Sequence, residues 1–196
     1  MSRRGNLQRC SSCRMLDCIC ALVPSLAPST RLALLVHYRE ARKPTNTGLL
    51  AARALAGSTI GIIGDRDRPL ELPIVRPGER GVLLFPADDA VPIAAIGRAD
   101  VLVVPDGNWR QASKLRARVP GLAALPCAFL PDAPPTAYRL RSEPRAGGLA
   151  TLEAIAHALR VLEGDRGPAI ADALLALMRV MVERTLASRG YSASTL

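Results

Sequence analysis

Val101-Leu102-Val103-Val104-Pro105-Asp106-Gly107-Asn108-Trp109-Arg110-Gln111-Ala112 reads as a buried strand that empties into a polar loop and then into a helix. The run from Val101 to Pro105 shows no polar alternation, which is the pattern of a strand covered on both faces. Asp106 and Gly107 end it with turn chemistry. From Trp109 to Val119 the period becomes helical: Ala112, Leu115 and Val119 share one face, and Arg110, Lys114 and Arg118 recur at four-residue spacing on another. A strand, a carboxylate at its carboxyl end and then a helix make the unit of an α/β domain, and ligands gather at that edge of a parallel sheet.

The alternation extends in both directions. Thr30 to Tyr38 is a buried run, Arg39 to Asn46 a polar turn, and Thr47 to Ala56 helix-like, opened by Thr and Asn side chains of the kind that cap helices. Thr59 to Ile63 reads as a strand. Gly64 to Gly81, rich in Pro, Gly, Asp and Arg, reads as a loop with one short strand near Leu72 to Val75. Val82 to Phe85 is a further strand, and Leu122 to Leu130 another, interrupted by Pro126. Two helices close the chain. The first carries Leu149, Leu152, Ile155, Ala156 and Leu159 on one side; the second runs from Pro168, a residue suited to a first helical turn, to about Ala187. The expected architecture is α/β with a mostly parallel sheet.

The 196 residues are 49% hydrophobic, enough for one buried core, and with 3% aromatics that core must be built from Ala, Leu, Val and Ile. The net charge of +9 is carried almost wholly by Arg, Lys43 and Lys114 being the only lysines. Polyanions are the natural partners of such a chain, although Arg-rich codon usage gives the same composition. The basic stripe at Arg110, Lys114 and Arg118 accordingly has two readings, a phosphate tracker or a solvated helix face. No run approaches the ~20 apolar residues that span a bilayer. Met1 to Arg9 is basic, but cysteines and Asp17 follow where a secretory signal needs an apolar run. The expectation is a cytoplasmic protein with no membrane partner and no obligate protein partner.

Cys10, Cys13, Cys18 and Cys20 crowd into eleven residues while Cys127 stands alone, an odd total that fits a disulfide framework poorly. Cys10 and Cys13 have the two-residue gap of a zinc knuckle, and four thiolates suit tetrahedral zinc. The single-residue gap between Cys18 and Cys20 is tighter than usual and leaves a redox site or an iron-sulfur cluster open. Four protein ligands leave no open position, so the metal would be structural. Residues 1–25, closed by Val23, Pro24 and Ser25, are expected to form a small zinc-binding module ahead of a main domain over 26–196.

Asp106 lies close enough to Trp109, the only Trp, for both to border one small pocket; capping a helix and filling a core are the plainer roles for the two. Thr45, Asn46 and Thr47 offer polar groups in the turn after a strand, for a ligand or for helix capping. His37 and His157 read as structural or surface histidines, and Cys127 as a small buried hydrophobe.

Asp106-Gly107-Asn108-Trp109 followed by Arg110-Gln111-Ala112 resembles the motif Asp-Gly-Thr-Trp-Arg-Gln-Ala of the DTW-domain family. The four cysteines, the stretch from Arg42 to Gly48, and Tyr138 to Pro144 leading to Leu149-Ala150-Thr151-Leu152-Glu153-Ala154 resemble further blocks of that family, so the resemblance covers nearly the whole chain. Asn108 replaces the central Thr or Ser, and Ala150 stands where Ser is common, a change that implies one fewer hydrogen bond to the cofactor. The resemblance implies a fold related to the SPOUT methyltransferases, with a trefoil knot in the carboxyl half that binds S-adenosylmethionine. Pattern reasoning alone gives an open doubly wound sheet instead.

Bacterial members with this cysteine module are implied to act on a variable-loop uridine of tRNA, giving 3-(3-amino-3-carboxypropyl)uridine and 5'-methylthioadenosine. By the same resemblance Asp106 and Trp109 are catalytic, with Asp106 either the base for the uridine N3 proton or an orienter of the cofactor ammonium. Thr45, Asn46, Thr47, Asp106, Trp109, Ala112, Leu125, Tyr138 and Thr151 bind the cofactor, Trp109 and Ala112 walling in its methyl group and the backbone near Leu125 receiving adenine. Arg139, Arg141 and Arg145, with Arg110, Lys114 and Arg118, contact RNA phosphates. A SPOUT-type RNA methyltransferase and a non-catalytic zinc-containing RNA-binding module fit the same features.

Overall fold

Leu32, Leu34 and Val36 face one way from the first strand while Ala33 and Leu35 face the other, and this two-sided burial organises the molecule. The computed structural model of the chain describes residues 8–65, 70–71, 73–107, 112–140 and 148–191. Its centre is a six-stranded sheet in the order β2 (Thr59–Ile63), β1 (Arg31–His37), β5 (Val101–Asp106), β3 (Gly81–Leu84), β6 (Cys127–Phe129) and β4 (Val91–Pro92). All five pairings are parallel. The mostly parallel α/β sheet expected from the strand–helix alternation is therefore the one observed.

Leu102 and Val104 of β5 join Leu32, Leu34 and Val36 in the larger apolar cluster, and Val101 and Val103 join Ala33 and Leu35 in the smaller. The larger cluster is closed by α1 (Thr47–Ala54), α4 (Thr151–Leu162) and α5 (Gly167–Ser188), through Leu50, Leu152, Ile155, Leu174 and Met178 among others. The smaller lies under Leu115, Val119 and Leu122, with Ile74 and Val75 against it. A parallel sheet needs both covers, because its strands are apolar on both faces. Short α2 (Ile93–Ile96) and α3 (Leu115–Arg118) complete the helices named here.

Most elements differ from expectation only at their ends. Strand β5 continues through Asp106, because its pairing with β1 extends to Val36 opposite Asp106. Pro126 splits the run from Leu122 to Leu130 into a 3-10 turn at Leu122–Ala124 and the strand Cys127–Phe129. No strand forms at Ile74 and Val75, which pack as loop residues, while Leu72 lies outside the described residues. Strand β4 and helix α2 were not expected, since elements of two and four residues are too short to show a period. Between α4 and α5 a Cβ on Gly167 would lie 2.2 Å from the Arg160 carbonyl oxygen, so only glycine permits that approach. Among the described residues no helix is long and apolar enough to cross a membrane.

Candidate active site

The carboxyl edge of the sheet gathers three chain segments around one carboxylate. Asp106 ends β5 and is 7% exposed. Its Oδ2 accepts from Asn46 Nδ2 at 2.5 Å and its Oδ1 accepts from the Thr151 hydroxyl at 2.5 Å. Asn46 is the N-cap of α1 and Thr151 the first residue of α4, so the acid is gripped from two helix starts at once. Side-chain donors on both oxygens fix the carboxylate plane. Gly48, in the first turn of α1, faces this group, and a Cβ there would lie 3.1 Å from Asp106 Cγ and 3.2 Å from Thr151 Cγ2.

A second set of bonds joins these segments to the loop after β6. The Tyr138 hydroxyl donates to the Thr45 carbonyl at 3.0 Å, and the Leu152 N–H donates to the Thr47 hydroxyl at 3.4 Å. Glu153, 3% exposed, accepts from the Thr136 hydroxyl at 2.6 Å, from Ala137 N–H at 2.7 Å and from Ala150 N–H at 2.8 Å. This carboxylate ties the segment carrying Tyr138 to the start of the helix carrying Thr151. Sequence reasoning met Glu153 only as one letter of a block; a Glu three residues after a helix start is the signal that could have found it. Ala150 is itself the N-cap of α4 and offers no side-chain acceptor there. What its missing hydroxyl removes first is therefore a helix cap.

Thr45, Asn46, Thr47, Asp106, Tyr138 and Thr151 are thus brought together. Leu125 lies apart from them. It precedes β6 and its side chain packs at Gly81, the first residue of β3, on the amino edge of the sheet. Its N–H is already given to the Leu122 carbonyl at 3.2 Å. Ala112, Leu115 and Val119 are buried whereas Lys114 and Arg118 are exposed, but the helix expected from Trp109 to Val119 is broken by a turn at Ser113 and Lys114, and only Leu115–Arg118 runs on as α3. Arg139 is exposed next to buried Tyr138. Trp109, Arg110, Arg141 and Arg145 lie outside the described residues, as does Asn108. His37 accepts the Arg39 N–H on Nδ1 at 3.3 Å, and burial, then the Arg39 charge, lowers its pKa. Burial likewise lowers that of His157.

The four cysteine sulfurs lie within 4.8 Å of one another. Separations of 3.4 Å for Cys10–Cys18 and 3.8 Å for Cys10–Cys20 and Cys13–Cys18 are close to the edge of about 3.8 Å of a tetrahedron with Zn–S bonds near 2.3 Å. The donor set therefore fits a tetrahedral metal, and the short Cys18–Ile19–Cys20 gap is accommodated by the 3-10 turn that starts at Cys20. Two thiols are biased toward thiolate. A hydrogen bond from the Arg53 guanidinium, 3.2 Å from Sγ, is the chief cause of a Cys20 pKa lowered to about 6, and the backbone of Cys13 and Ser12 lowers that of Cys10. The cluster is bound to the body of the protein as well: Cys13, Met15 and Ile19 are buried in the larger apolar cluster, and Arg184 of α5 bonds Asp17 and the Cys18 carbonyl.

The DTW domain family model matches residues 7–186. The chain belongs to the DTW-domain family. Within that family it is 28% identical, over 172 residues, to tRNA-uridine aminocarboxypropyltransferase 2 of Drosophila melanogaster, an alignment spanning 83% of this chain and 68% of the relative. The solved structure of the SAM-dependent rRNA:acp-transferase Tsr3 from Vulcanisaeta distributa overlaps 82% of this chain and 84% of its own, at 16% identity and a TM-score of 0.47. The DTW-domain blocks at Arg42 to Gly48, Asp106 and Thr151 are the segments that meet at the buried carboxylate.

Proposed function

We propose that this DTW-domain protein transfers the 3-amino-3-carboxypropyl group of S-adenosylmethionine to N3 of a variable-loop uridine in tRNA. The N3–H bond is lost to a base, a bond forms from N3 to the terminal carbon of the aminocarboxypropyl arm, and the bond from that carbon to sulfur breaks. 5'-Methylthioadenosine leaves with the sulfur. Supporting this reading is the family membership together with one feature of the site: a buried carboxylate clasped by the two segments, at Asn46 and Thr151, whose family resemblance points to the cofactor.

In this reading Thr45, Asn46, Thr47, Tyr138 and Thr151 line the cofactor, with Trp109 and Ala112 shielding its methyl group so that the longer arm faces the acceptor. Asp106 takes the N3 proton or holds the cofactor's ammonium. Arg110, Lys114, Arg118, Arg139, Arg141 and Arg145 meet tRNA phosphates, and the uridine enters unstacked. Residues 1–25 hold a structural zinc on Cys10, Cys13, Cys18 and Cys20 beside a catalytic domain over 26–196, knotted in its carboxyl half as in SPOUT proteins, and the enzyme works in the cytoplasm.

Incubation with labelled S-adenosylmethionine and unmodified tRNA, followed by nucleoside mass analysis, tests the whole reading. Aminocarboxypropyl-uridine with methylthioadenosine is expected. A methylated nucleoside with S-adenosylhomocysteine would replace it by methyl transfer. Asp106→Asn that keeps full transfer with normal cofactor affinity would remove the base role.

A further inference from the structure

One hydrogen bond joins the cysteine turn to the loop that leads into the active site. Arg14 has a φ of 59°, the one positive value among the described residues other than glycine. That left-handed turn lets Arg14 N–H reach the Cys10 carbonyl at 2.8 Å and Cys10 N–H reach the Met15 carbonyl at 2.9 Å. From the same residue Nη1 donates to the Arg42 carbonyl at 3.1 Å. A left-handed non-glycine residue is strained. A turn that carries four metal ligands can sustain it.

Arg42 sits in a series of turns, Glu40 N–H to His37 at 2.8 Å, Lys43 N–H to Glu40 at 3.0 Å and Asn46 N–H to Lys43 at 3.1 Å. The series ends on the residue that holds Asp106. Arg39, Arg42 and Lys43 are exposed along it, and Arg9 continues the line by donating to the Arg14 carbonyl at 3.1 Å. Nearby acids offset only part of this charge: Glu40 pairs with Lys43, and Asp17 is taken by Arg184 of α5. Arg39 leans on Tyr38, its Nε donating to the hydroxyl at 2.9 Å, and exposed contacts of this kind contribute little to stability, while the Arg42 guanidinium bonds no described residue, so the exposed charge serves the fold only weakly. A chain of phosphates would give that charge a task.

We propose that Arg9, Arg14, Arg39, Arg42 and Lys43 form a second phosphate-binding rim, and that the cysteine turn acts as its clamp, holding the 39–43 loop in place against the RNA. This rests on the tRNA reading above.

The test measures binding of unmodified tRNA to the full chain as a function of salt, with S-adenosylmethionine affinity, metal content and Tm recorded alongside. Arg14→Asn keeps a residue that tolerates the left-handed backbone but removes the clamp and its charge. Arg42→Ala removes a charge while leaving the carbonyl that Arg14 uses, and Arg39→Ala removes another. Each is expected to weaken tRNA binding severalfold at low salt, Arg14→Asn most. Each should also flatten the plot of log affinity against log salt by about 0.7 to 0.9 per phosphate lost, with cofactor affinity, metal content and Tm unchanged. Wild-type slopes and affinities in all three variants would overturn the rim. If the unaltered protein binds no tRNA at any salt, the substrate reading falls, and the rim with it.

Discussion

Asn46 and Asp106 are 60 residues apart in the chain and 2.5 Å apart in space, and the amide between them works in two directions. Its oxygen accepts the Leu49 N–H at 2.6 Å and caps α1, while its nitrogen donates to Asp106. Asp at this position would cap as well as Asn but could not donate. The site therefore demands a side chain with both an acceptor and a donor.

Exchanging the amide separates these roles. Asn46→Ala should lose the cap, at about 0.5–2 kcal/mol, and one of the two donors that orient Asp106. Asn46→Asp should keep the cap but set two carboxylates against each other. One of the pair then takes up a proton more readily, so its Tm should recover as pH falls from neutral while that of Asn46→Ala does not. Thermal denaturation at several pH values, with cofactor affinity measured beside it, distinguishes the two.

Gly48→Ala should harm function more than stability. Alanine is favoured over glycine inside a helix by about 0.8–1.0 kcal/mol. The new Cβ, at 3.1 Å from Asp106 Cγ and from Leu34 Cδ1, must push its neighbours by a few tenths of an ångström. Gain and strain nearly cancel in Tm, but the displaced acid is the one the site turns on. Near-normal Tm with cofactor affinity or turnover reduced at least tenfold is expected; unchanged turnover would show that the carboxylate's position is not critical.

Ala150→Ser should stabilise the protein. Residue 150 has the extended backbone of an N-cap, φ −65° and ψ 149°, and Glu153 already supplies one half of a capping box. A hydroxyl there supplies the other, worth about 1 kcal/mol, or roughly 2–4 °C in Tm for a chain of this size.

Removing the metal should unfasten more than the cysteine turn. Met15 and Ile19 are buried in the larger core cluster, and exposing two such side chains costs about 1.5–3 kcal/mol each. A fall in Tm on the order of 10 °C after chelation is expected, reversed by zinc. Elemental analysis should find one ion per chain, and Cys18→Ser should reproduce the loss without chelator.

An acid-sensitive clamp lies at the opposite edge of the sheet. Arg31 on β1 grips both oxygens of Glu79, at 2.8 and 2.6 Å, and this pairing is the chief reason the Glu79 pKa falls from 4.5 to about 2. Because the folded value is the lower one, the pair's contribution is complete above pH 4.5 and is lost as pH falls toward 2. Glu79→Gln should therefore lower Tm at neutral pH and flatten its dependence on pH across that window.

The long elements were legible because their residues declare them locally. Val101 to Val104 and Leu32 to Val36 are apolar without interruption, α4 carries its apolar residues at helical spacing, and the four cysteines lie within one turn's reach of each other in sequence. Elements shorter than a period, such as Val91–Pro92, had no such signature. Nor does position along a chain say which edge of a sheet a residue occupies: Leu125 falls on the amino edge because β6 starts after Pro126, at Cys127.

From residue order alone came the α/β class and the clustering of four thiols, each fixed by covalent neighbours or by side-chain chemistry, while the weight placed on Asp106 came from its resemblance to the DTW-domain motif. Folding decided which strand lies beside which, so that β5 pairs with β1 and brings Asp106 opposite Val36. It also decided that Asn46 and Thr151 take one carboxylate oxygen each, and that Arg14 reaches Arg42. Those contacts join residues dozens of positions apart, and parallel strands, whose connections must cross the sheet, acquire their neighbours only when both apolar faces find a cover.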